Sequence, residues 1–110
     1  MSASSCVVLY GLKFELGDSE IEGVERRTDP RFSLARKHHL HLEWCDLRES
    51  DGTYVLLMGR LVQIMGDENT LSFSLGGDEL RHLLLETDIA LEAAGMQCTA
   101  RLHCLWLPDF

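Results

Sequence analysis

The sequence predicts an α+β fold, specifically a ferredoxin-like βαββαβ-type sandwich with an added strand, its mainly antiparallel sheet packed on one long helix over residues 78–94. Three observations carry this expectation. Apolar and polar residues alternate with period two in several short segments, apolar residues recur at helical spacing in one long segment, and clusters of Gly, Asp, Ser and Asn separate the segments. At 110 residues the chain has the size of a single domain, 1–110,.

Cys6, Val8, Tyr10, Leu12, Phe14 and Leu16 alternate with Lys13 and Glu15 on the opposite side, which predicts a first strand,. Gly17-Asp18-Ser19 breaks it, and residues 18–30 read as too polar to hold a buried element,. Pro30, with Thr28 or Asp29 as cap, opens a short helix over about 30–37 that can bury Phe32, Leu34 and Ala35,. Leu40, Leu42 and Trp44 alternate with His39, His41, Glu43 and Cys45 in a second strand, closed by the turn residues Ser50-Asp51-Gly52,. The run from Thr53 to Met65 is apolar on both sides, as a central strand requires, and Gly59-Arg60 suggests a bulge,. After a second turn at Gly66–Asn69, Leu71, Phe73 and Leu75 predict the third strand of a meander. Asp78 caps the long helix, with Leu80, Leu83, Leu84, Leu91 and Ala94 as its apolar stripe and Gly95 beyond its end,. Cys98 to Trp106 alternate in a last strand that Pro108 stops,.

One helix cannot cover both faces of such a sheet. Val7, Leu9, Val55, Leu57, Leu61, Leu105 and Leu107 leave a second apolar face, which a loop or another protomer must cover, so a homodimer joined through that face is expected,.

Apolar residues make up 45% and charged residues 25%, the balance of a folded protein,. Cys6, Cys45, Cys98 and Cys104 form no C-x-x-C pair and read as small buried hydrophobes,. No Lys or Arg precedes the first apolar run, and no run approaches membrane-spanning length, so the cytoplasm is the expected compartment and no membrane is expected as a partner,. A net charge of −8 disfavours nucleic acid and suits a basic protein partner,. Charge is uneven along the chain: Arg26, Arg27, Arg31, Arg36 and Lys37 hold half of the ten basic residues, directly after the acidic stretch Glu15 to Glu25,.

Two groups of side chains have the chemistry of a site. Arg26, Arg27 and Arg31, followed by a helix start and by His39 and His41, could bind an anion, with the histidines as acid and base near neutral pH. The same arginines could instead pair with the acids just before them. His39, His41 and Glu43, on one side of a strand, could bind zinc, or could be the solvated side of an edge strand. Gly76-Gly77 lacks the spacing of a phosphate loop, and Ser72 and Ser74 lack a nucleophile context,. No catalytic motif is present. The expected function is therefore a non-enzymatic protein-binding module, acting as a homodimer; the alternative is a small anion- or metal-binding protein or enzyme using the Arg/His cluster.

Overall fold

The computed structural model describes residues 4–66, 70–96 and 99–108. It is an α+β fold, with the elements β1 (Ser4–Glu15), α1 (Asp18–Glu25), α2 (Pro30–Lys37), β2 (His41–Leu47), β3 (Thr53–Gly66), α3 (Gly77–Ala93) and β4 (Arg101–Pro108). The four strands form one sheet in the order β2-β3-β1-β4, and every neighbouring pair is antiparallel. β1 therefore runs parallel to β2 with β3 between them, and β3 parallel to β4 with β1 between them.

The third meander strand expected over 71–75 is not formed. Thr70 makes one isolated bridge with Met65, and Leu71, Phe73 and Leu75 stand exposed without a ladder. Their alternation is that of a strand, but no neighbouring strand supplies the hydrogen bonds that would make it one. A second difference lies at residues 18–30, where a helix, α1, replaces the expected polar loop. The Gly17 N–H donates to Glu20 Oε1 at 3.1 Å, tying down the first turn, and Ile21 and Val24, three residues apart, share the buried side,. α1 is anchored from its far end by the Tyr54 hydroxyl, which donates to Glu25 Oε2.

All three helices end in the same hydrogen-bond pattern. The N–H groups of Thr28, Leu40 and Met96 reach back to the carbonyls of Gly23, Ala35 and Leu91, over a left-handed residue at Arg27, His39 and Gly95,. Glycine takes that conformation without strain, whereas Arg27 (φ 61°) and His39 (φ 56°) do not,. His39 is exposed and its backbone is its structural contribution, so His39→Gly is expected to stabilise the fold by about 0.5–1 kcal/mol. A raised midpoint of urea unfolding checks this, and an unchanged or lowered midpoint would show that the imidazole itself is needed.

Two buried clusters lie on the helix side of the sheet. Leu12 and Met58 meet Ala35 of α2 and Leu91 of α3, while Tyr54 and Leu56 meet Ile21 and Val24 of α1. No helix among the described residues packs on the opposite face, yet Val7, Leu9, Val55, Leu57 and Leu107 are each 5% exposed or less within the single chain. The sheet covers that face by bending onto itself. Val7 lies opposite Ile64, and Val55 opposite Glu15, near the two ends of the β1–β3 ladder. Straight strands would separate them by about 26 Å, at about 3.3 Å per residue. They nevertheless share one buried cluster with Cys45 of β2 and Leu107 of β4.

The bend falls where Gly11 of β1 faces Gly59 of β3. A Cβ built on Gly11 would lie 2.1 Å from the Met58 carbonyl oxygen, and one on Gly59 would lie 2.1 Å from the Tyr10 carbonyl oxygen. Only paired glycines allow the strands this approach. β4 pairs with Ser4–Gly11 of β1 alone, and β2 with Thr53–Gly59 of β3 alone, so two three-stranded halves meet face to face across the crease,. This corrects the expectation that a loop or a second protomer closes the apolar face. The bulge expected at Gly59-Arg60 falls a little later, at Val62, where the register shifts between the Val8–Gln63 and Leu9–Leu61 pairs,.

Candidate functional site

The arginines that follow α1 are held by local acids and rings. Arg31 is mostly buried; its Nε and Nη2 donate to the two oxygens of Asp29 at 2.9 Å each, and Nη2 also donates to Glu20 Oε2 at 2.9 Å. Asp29 at the same time accepts from the Arg31 backbone N–H as the N-cap of α2,. The guanidinium lies 5.0 Å from the centre of the Phe14 ring,. Its fork holds the Asp29 carboxyl below the ordinary carboxylate range, while for Glu20 the Gly17 N–H contributes most and Arg31 second. Arg26 pairs with Glu22 at 2.9 Å on the exposed side of α1, and Arg27 lies 5.3 Å over the Trp44 ring.

The two histidines of the anticipated site separate. β2 begins at His41, and its Nε2 lies 2.9 Å from Glu43 Oε2, whereas His39 is the exposed left-handed cap of α2 rather than a strand residue. Among the described residues, no three His, Cys, Asp or Glu side chains are grouped to hold a metal ion. Of the cysteines, Cys45 is buried, and burial pushes its thiol up to about 12, Cys6 is half-buried, and Cys104 is exposed. Cys98 lies outside the described residues. No helix among the described residues is long and apolar enough to cross a membrane.

The structure brings together side chains that no pattern in the sequence links. Tyr10 of β1 donates its hydroxyl to Asp88 Oδ1 of α3 at 2.8 Å, and both line a concavity with Leu91, Glu92, Met96 and Ala100. Burial first, then Asp88, raises the Tyr10 hydroxyl above its ordinary value. A second concavity lies at the start of β4, lined by Lys13, Thr99, Arg101 and His103 around the β1 backbone from Gly11 to Phe14. There His103 Nε2 donates to the Gly11 carbonyl at 3.2 Å, covering an acceptor at the crease.

Burial lowers the His103 pKa, the Gly11 hydrogen bond works against that shift, and Lys13 and Arg101 add to the lowering. A histidine with a depressed folded pKa stays neutral in the native state while the unfolded chain binds a proton near pH 6.5. Its contribution to stability is thus complete above that pH and is lost as the pH falls through it. Urea unfolding from pH 8 down to pH 5.5 is expected to show this decline, and His103→Gln, which keeps a donor for Gly11, is expected to flatten it. A His103→Gln protein with the parent's pH profile would assign the decline to other groups.

Comparison with protein-family models, with curated proteins and with solved structures found no match to this chain.

Proposed function

We propose that the chain is a non-enzymatic protein-binding module of the cytoplasm, built on a ferredoxin-like βαββαβ arrangement and acting as a homodimer with a basic protein as its further partner. The observation that carries this reading is the apolar surface left at the outer edge of the sheet. Leu102 and Trp106 of β4 are 55% and 63% exposed, and no strand among the described residues pairs with the outer side of β4. Edge strands in stable monomers are commonly guarded by charge. The other edge, β2, carries Glu43 and Asp46, but Arg101 to Leu107 contain no acid at all in a chain of net charge −8.

Antiparallel self-pairing about Cys104 would set Leu102 against the partner's Trp106 and Arg101 against the partner's Leu107, without opposing like charges. This reading puts the homodimer surface on the β4 edge, since the face that carries Val7, Val55 and Leu107 is buried within one chain. The acidic remainder of the surface suits a basic partner. Sedimentation velocity over a hundredfold range of micromolar concentrations is expected to give the mass of two chains, and Trp106→Glu the mass of one. A wild-type chain that sediments as a monomer throughout would end the homodimer reading.

A further inference from the structure

We infer that the notch where β4 begins beside β1 binds a small oxyanion of the phosphate class between Lys13, Arg101 and His103. The position follows from the ladders. β4 stops pairing opposite Gly11, while β1 continues to Glu15, so the outward side of β1 beyond Gly11 has no partner in β4. Strand alternation puts the Lys13 N–H on the same side as the Gly11 carbonyl, and that carbonyl already accepts from His103,. The notch therefore offers a backbone donor with its nearest acceptor occupied.

Three cationic or protonatable side chains line the notch together with Thr99, and none of its lining residues among the described ones is acidic. This differs from the arginines after α1, of which Arg26 and Arg31 are paired with acids. Asp51, whose carboxyl is held below its ordinary value first by the Thr53 hydroxyl and N–H and only then by Lys13, does not line the notch. The cations are also mutually close, since Lys13 and Arg101 both act against protonation of His103. An anion seated among them removes that repulsion, and His103, whose Nε2 is committed to Gly11, has Nδ1 left to donate once protonated. The volume, ≈ 240 Å³, admits inorganic phosphate or the phosphoryl end of a larger molecule.

The test follows the His103 ring resonances by NMR in the full chain during titration with inorganic phosphate, with chloride at matched ionic strength as the reference. Phosphate is expected to saturate and to raise the His103 pKa, leaving His38, His39, His41 and His82 unmoved. Lys13→Ala and Arg101→Ala, both at exposed positions, are each expected to weaken phosphate about tenfold, as loss of one charge-assisted contact does. Phenyl phosphate and acetate separate the sources. Tighter binding of the ester would assign the site to a phosphorylated molecule, equal binding to free phosphate, and preference for acetate over both would overturn the phosphate class. A His103 response identical in chloride, or one that survives both alanine substitutions, would overturn the site.

Discussion

Gly11→Ala is expected to cost about 4 kcal/mol or more, enough to leave little folded protein. The expectation does not rest on glycine's backbone freedom, because Gly11 sits in an extended strand. It rests on distance: the new methyl carbon would lie 2.1 Å from the Met58 carbonyl oxygen and 2.7 Å from the Gly59 Cα, both backbone atoms that no rotamer change can move. Relief requires the strands to part at the crease, which opens both halves of the sheet. Gly77→Ala provides the control, since nothing lies within 4 Å of its added carbon, and alanine is the better helix former there,. Circular dichroism melts of the two variants decide the matter. A Gly11→Ala protein melting within a few degrees of the parent would mean that β1 and β3 do not approach so closely.

Leu57→Ala is the second large effect, at about 3 kcal/mol. Leu57 is on the face of the sheet without helices, and an open face would make its truncation cheap. It is instead 0% exposed, on the face where Val7, Val55 and Leu107 share one buried cluster. The matching substitution Leu85→Ala, on the solvent side of α3 where the side chain is 58% exposed, is expected to stay within about 0.5 kcal/mol of the parent,. Equal costs at the two positions, measured by urea unfolding, would mean that the face is not closed within one chain.

The elements that could be read from the sequence are those whose pattern and partners agree. β1, β3 and α3 have strong periodicity and also find their ladder or their sheet, and α2 was marked by Asp29-Pro30. Residues 71–75 have the pattern without the partner, which shows that alternation is necessary for a strand but that pairing completes it. α1 was hidden for the opposite reason: Asp18, Ser19, Glu20, Glu22 and Glu25 mask the two apolar residues that dock it. His39 looked like a strand residue because of its place in an alternating run, and the Schellman cap at Leu40 overrode that run. The crease was illegible because Gly11 and Gly59 each look ordinary, and only the register makes them opposite. The cationic notch has the same origin, since Lys13 and His103 become neighbours through a ladder between distant parts of the chain.

That ladder also bears on how the protein comes into being. Leu9 pairs with His103 and Ser5 with Leu107, so β1 waits during translation for β4, the last strand described, before its outer edge is closed. β3 can cover one side of β1 midway through synthesis, but β1's outer edge stays open over Ser4–Gly11 until β4 emerges. Such long-range pairing slows folding and prolongs the interval in which a bare strand edge meets other nascent chains. Ribosome-bound chains halted just after α3 should therefore be the species most prone to aggregate and the one with most use for a chaperone.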